Sequence, residues 1–278
     1  MKSIQTARFL RWWHWLTAML LAAGLVACGA PHSISERAQA SEAASSRASA
    51  KAASTLGTQW GEGRASATQS VQATRLYPDR PQALSQLLYS DEASIRQALG
   101  RSADRQLNVL LAGGDVEWAV QDGQGQALPI YSTRGAQNYQ LAGRHGERYE
   151  LVYTNRSQRS YEVVATVDGL DVLTGQAGSV QHSGYLLRPG ETLRIDGFRK
   201  SQNEVAAFRF ANKDRAYANH TPAGDARNVG VIGVALFEVR LGEPQPAVRP
   251  PRNQGAEPAP AAFPGDPASS YAPPPQYR

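Results

Sequence analysis

Between Gln106 and Leu241 the chain holds no apolar run longer than a strand, and turn-forming residues interrupt it every ~8–12 positions. Gly, Pro, Asn and Asp separate short segments rich in Val, Leu, Tyr and Phe. The segments are Leu107–Leu111, Val116–Gln121, Ala127–Tyr131, Asn138–Leu141, Arg148–Asn155, Tyr161–Val167, Gly184–Leu187, Thr192–Ile195, Ala206–Ala211 and Val229–Arg240. They do not alternate with helical segments, which excludes a Rossmann-like parallel sheet. The pattern predicts a mainly β chain, folded over residues 105–241 as an antiparallel β-sandwich.

Two segments show why. Tyr161, Val163, Ala165 and Val167 alternate with Glu162, Val164 and Thr166, the period-two pattern of a strand. Asp168-Gly169 follows, a strong hairpin signal because a type I′ turn needs positive φ at both central residues. Near the end, Val231, Gly233, Ala235, Phe237 and Val239 take one face and Ile232, Val234 and Leu236 the other. A strand apolar on both faces is central, and its glycines mark places where another group packs closely. Arg188-Pro189-Gly190 supplies a further turn, with proline presetting φ and glycine accepting its positive value.

Residues 57–104 read as a partly helical lead-in. Pro81–Tyr89 and Ser90–Leu99 look helical, with Ser90 as N-cap, Asp91 and Glu92 in the first turn and Gly100 just beyond the end. Trp60 is expected to be buried.

The two ends differ in kind from the middle. Lys2, Arg8 and Arg11 precede an apolar run from Trp12 to Ala27, shorter than a bilayer-spanning helix requires. Leu25-Val26-Ala27-Cys28 then resembles the lipobox of bacterial lipoproteins. The resemblance implies a signal peptide over residues 1–27 and acylation of Cys28, whose lipid chains anchor the mature protein to a membrane. Gly29 in place of aspartate resembles the enterobacterial sorting pattern for the outer membrane. Cys28 is the single cysteine, so no intramolecular disulfide can form and the fold must stand on burial alone. Residues 28–56 are Ala/Ser-rich and read as a flexible tether. Residues 242–278 hold most of the prolines and read as a disordered spacer; Arg249-Pro250-Pro251-Arg252 belongs to that solvated tail. The formal charge of +5 falls to near +2 without Lys2, Arg8 and Arg11, too small to indicate a nucleic-acid partner.

Three blocks, YEVVATVDGLDVLTG (Tyr161–Gly175), GYLLRPGETLRIDGFRKS (Gly184–Ser201), and EVAAFRF with NVGVIGVALF (Glu204–Phe210, Asn228–Phe237), together resemble a family of uncharacterised exported bacterial lipoproteins. The resemblance spans about the folded half and implies a β-rich domain. It brings no activity, cofactor or catalytic residue.

The chemistry-bearing residues form no recognised motif. A calcium loop needs oxygen ligands where Leu170 and Val172 stand, and a glutamate at its end. Gly230-Val231-Ile232-Gly233 lacks the full dinucleotide fingerprint. His32, His145, His182 and His220 are not at metal-ligand spacing, and there is no G-x-S-x-G elbow. Neither cofactor nor metal is indicated. Arg188, Arg194, Arg199, Lys200, Arg209, Lys213 and Arg215 are interspersed with Glu191, Asp196, Glu204 and Asp214, as on a solvated β-face. The candidate polar site is Asp168, Asp171, His182, Arg199 and Lys200. Asp171, an acid among apolar neighbours, must face water or find a partner. The expected role is non-enzymatic: a lipid-anchored envelope protein with a binding or structural role in the periplasm or at the outer membrane, its partner an envelope protein or polysaccharide. The alternative is an envelope hydrolase or a polysaccharide-acting enzyme with a site built from dispersed residues.

Overall fold

The structure, a computed structural model, describes residues 54–134, 137–242 and 271–277. The expected signal peptide, Cys28, most of the expected Ala/Ser-rich tether and Arg249–Arg252 lie outside the described residues.

In chain order the strands are β1 (Leu56–Ala65), β2 (Ala73–Arg75), β3 (Ala83–Asp91), β4 (Ala103–Gln106), β5 (Val109–Leu111), β6 (Val116–Asp122), β7 (Ile130–Thr133) and β8 (Tyr139–Gly143). They continue with β9 (Arg148–Asn155), β10 (Ser160–Val167), β11 (Leu170–Asp171), β12 (Tyr185–Leu187), β13 (Thr192–Ile195), β14 (Gly197–Arg199), β15 (Glu204–Asn212) and β16 (Val231–Leu241). One α-helix, α1 (Glu92–Leu99), lies among the described residues. A seven-stranded sheet runs β1-β15-β9-β6-β5, with β13 on β9 and β14 on β15. A nine-stranded sheet runs β11-β10-β16-β3-β8-β7-β4, with β12 on β10 and β2 on β16. The chain is therefore mainly β, and its pairing is antiparallel except that β3 and β8 run parallel.

One cluster of buried side chains draws on both sheets. Trp118, Tyr149, Phe208 and Phe210 come from the seven-stranded sheet, and Leu87, Tyr161, Val163 and Ile232 from the other. The expected two-faced strand is β16, which lies between β10 and β3. Its Ile232, Val234 and Leu236 enter this main core, while Ala235 and Phe237 join Val164 in a separate buried cluster on the opposite face.

Of the two helices expected in residues 57–104, Ser90–Leu99 holds the α-helix, and the helical reading of Pro81–Tyr89 is corrected. β1 and β3 are long strands, and β3 sits between β16 and β8 in the interior of its sheet. Ala, Leu and Gln make Pro81–Tyr89 look helical, but strand pairing on both sides outweighs a propensity of a few tenths of a kcal/mol per residue. Helix α1 begins later, with Asp91 rather than Ser90 as its cap: the Asp91 carboxylate accepts the Ser94 N–H at 2.9 Å. Ser90 is still in β3, and its hydroxyl accepts the Thr55 N–H at 3.1 Å. Gly100, at φ +62°, closes the helix as expected. Trp60 is half-buried, stacking on Phe198 at 6.2 Å and tilting against Tyr217 at 4.8 Å.

The reading of residues 242–278 as one unstructured tail is corrected at its far end. Residues 271–277 lie against the domain, and Ala272 is buried in its core cluster.

Candidate functional site

Asp168 and Gly169 form the expected turn between β10 and β11, with φ of +53° and +77°. Yet Asp168 is not a solvated turn residue. Only 1% exposed, it accepts the Thr58 N–H at 2.8 Å, the Gly230 N–H at 2.8 Å and the Tyr89 hydroxyl at 2.6 Å. The Thr58 hydroxyl also meets the Tyr89 hydroxyl at 2.8 Å and the Tyr149 hydroxyl at 2.6 Å. Thr58 and Tyr149 belong to one sheet and Tyr89 to the other, so this network bolts the sheets together through polar groups. Burial pushes the Asp168 carboxyl up to about 6, against the pull of its three donors.

Asp171, Tyr185, His182 and Arg199 gather elsewhere. Asp171 is also 1% exposed, and its partners are now visible. Its Oδ1 accepts the N–H groups of Leu173 at 3.0 Å and Thr174 at 2.8 Å, and the Thr174 hydroxyl at 3.0 Å. This is the self-contained Asx turn that aspartate favours. Its other oxygen, Oδ2, lies 3.4 Å from Nδ1 of His182, without hydrogen-bond geometry. Arg199 is 2% exposed; its guanidinium donates to the Tyr185 hydroxyl at 3.2 and 3.1 Å, and to the carbonyl and hydroxyl of Ser66. The Arg199 N–H donates to the Val172 carbonyl at 2.8 Å, which ties this group to the Asp171 turn. Burial raises the Tyr185 hydroxyl above its ordinary range; Arg199 opposes the shift, while Asp196 and Asp171 add to it. Lys200 is not part of the group and pairs with Glu204 at 2.5 Å. Of the five candidates, the structure unites Asp171, His182 and Arg199, and sets Asp168 and Lys200 apart. Arg188, Arg194 and Arg209 likewise have acid partners, in Glu191, Glu150 and Glu62.

Beside this group lies a cleft of about 400 Å³ on the outward face of β3, β10 and β16. Its floor includes Leu84, Val164, Thr166, Gly233 and Ala235, and its wall is the segment Gly178–Val180. The period-two pattern explains the floor: these side chains are the half of each strand that points away from the main core. Gly233 keeps it open, since a Cβ there would stand 2.6 Å from the Thr166 hydroxyl. Leu84 is 70% exposed at its edge.

Arg75, which the sequence did not single out, holds the wall. From β2 it donates to the Val180 carbonyl at 2.7 Å, the His182 carbonyl at 2.5 Å and Glu162 at 2.6 Å, and its guanidinium lies 3.7 Å over the Phe237 ring. Glu162 in turn accepts the Gly184 N–H at 2.7 Å. The partners of Arg75 are about a hundred positions away, and no local motif announces such a clamp. The cleft floor could be read from strand alternation; its wall could not.

The cleft offers apolar surface with few polar groups, an arrangement that suits binding of an apolar moiety. In the Asp171–Arg199 group, Asp171 Oδ1 and the Arg199 guanidinium have their partners within the chain, while the buried His182 Nδ1 has none. Among the described residues no three His, Cys, Asp or Glu side chains converge as a metal site would require. No family model, curated protein or solved structure matches this chain.

Proposed function

We propose that this chain is a lipid-anchored protein of the bacterial cell envelope, held through Cys28 at the periplasmic face of the outer membrane. Its two sheets pack face to face as a sandwich, and it binds an envelope protein rather than transforming a substrate. The carrying observation is the apolar cleft over β3, β10 and β16, with the exposed Leu84 at its edge. Anchoring confines the domain near the membrane and raises its effective concentration toward membrane-associated partners. The polar group around Asp171 supports the same reading. One oxygen of its carboxylate is held by its own turn and the Arg199 guanidinium by Ser66 and Tyr185, so these groups serve architecture.

A photo-crosslinking residue placed at Leu84 in the full chain, in cells, tests this. One stoichiometric protein partner is expected, absent when the crosslinker stands at Arg194 on the other sheet. The same products from both positions would overturn the assignment of the cleft.

A further inference from the structure

Residues 271–277, Tyr-Ala-Pro-Pro-Pro-Gln-Tyr, lie on the domain as a peptide lies on a receptor. Two of their N–H groups donate to the domain: Ala272 to the Arg199 carbonyl at 2.9 Å and Gln276 to the His220 carbonyl at 2.7 Å. The Tyr217 hydroxyl donates to the Pro273 carbonyl at 2.6 Å. Only Ala272 of the seven is buried; its methyl lies over Gly175, where an added Cβ would stand 2.7 Å from it. The Tyr277 ring packs on His220 at 4.6 Å and is otherwise largely exposed.

The receptor side is preformed. Tyr217 is fully buried, tilted against both Trp60 and Phe198 at 4.8 Å, so the aromatic core fixes where its hydroxyl points. Arg199 and His220 present backbone carbonyls from positions set by the fold. None of Gly175, Arg199, Tyr217 and His220 lines the apolar cleft. On the ligand side, three consecutive prolines fix φ before binding, which lowers the ordering entropy that an extended peptide otherwise loses. Anchor residues that supply N–H groups flank the prolines, which have none to offer.

We propose that Gly175, Arg199, Tyr217 and His220 form a recognition groove for a proline-rich peptide, and that the chain's own residues 271–277 occupy it in cis as a releasable ligand. An integral strand would contribute side chains along its length to the core; this segment contributes one methyl group and three hydrogen bonds. Its connection through residues 243–270 holds it near the groove at an effective concentration of about millimolar, so the tail outcompetes weak external peptides.

The test uses the full mature chain and a labelled peptide of residues 271–278. Ala272→Arg cannot seat over Gly175 and displaces the tail. The peptide is expected to bind this variant at least about tenfold more tightly than the wild-type chain, where the tail competes. Adding Tyr217→Phe should weaken that binding about fivefold, the worth of one hydrogen bond. If Ala272→Arg does not fold, Gln276→Pro replaces it, since it removes the N–H that meets His220. Amide exchange on the wild-type chain should show Ala272 and Gln276 protected. A folded variant that does not bind the peptide, equal binding of a scrambled sequence, or exchange of both amides at the unstructured rate overturns the proposal. So does a wild-type dimer that Ala272→Arg converts to monomer, which would place a second copy's tail in the groove.

Discussion

Asp168 shows how one residue can satisfy a local rule and serve a distant purpose. Its positive φ meets the need of the turn, and the same turn aims its carboxylate inward at Thr58, Tyr89 and Gly230. The turn is legible from Asp168-Gly169; the inward aim is not, because the donors come from residues 58, 89 and 230. Burial raises this carboxyl to about 6, whereas an unfolded aspartate titrates near ~3.9. The folded state therefore holds its proton more tightly across that window. The contribution to stability is full below about pH 4 and is lost as pH rises through about 6, on the order of 3 kcal/mol in all. Urea melts between pH 4 and 7 should show that slope in the wild-type chain and lose it in Asp168→Asn. An unchanged slope in the variant would contradict it. Arg199 makes a second case at this scale. Its fork reaches Ser66 and the Tyr185 hydroxyl together, which a lysine cannot do. Arg199→Lys should lower unfolding free energy by about 1–3 kcal/mol, read from denaturant midpoints at constant m-value.

At the scale of elements, the strands that alternate cleanly are those the sequence places best. Arg148–Asn155 and Thr192–Ile195 coincide with β9 and β13, and Tyr161–Val167 differs from β10 by one residue. Ala127–Tyr131 is displaced toward Ile130–Thr133, since proline at 129 withholds a ladder N–H. The segment that misleads is β3, where local helix propensity opposes pairing with strands far along the chain. Of the functional features, the floor of the cleft follows from alternation on β10 and β16. The wall follows from Arg75, whose reach across the sheet no spacing encodes. Replacing Arg75 by Ala should speed amide exchange across Val180–Gly184 while lowering global stability by only about 1–2 kcal/mol. Exchange unchanged in that segment would show that the wall stands without the clamp.

For the whole molecule, the governing expectation is the lipid anchor. Cys28→Ser removes the thiol that would carry the acyl chains, and the protein is then expected to move from the membrane to the soluble fraction on cell fractionation. Retention with membranes would refute anchoring through Cys28. With one cysteine there is no covalent cross-link to compensate for a weakened core, so the polar bolt around Asp168 and the aromatic packing of Tyr89 on Phe210 across the sheets carry the joining of the sheets. The sequence states the class of fold and the expected address of the molecule. It does not state how the sheets interlock, because that depends on pairings such as Asp168 with Thr58 that lie far apart in the chain.

The pairing of β1 with β15 has a kinetic consequence. Leu56 lies opposite Asn212 and Ala65 opposite Glu204, so the first strand of the domain finds its neighbour only near the domain's end. Contacts so remote in sequence make folding slow and late. A chain emerging N-terminus first carries β1 as an open edge until Asn212 has followed.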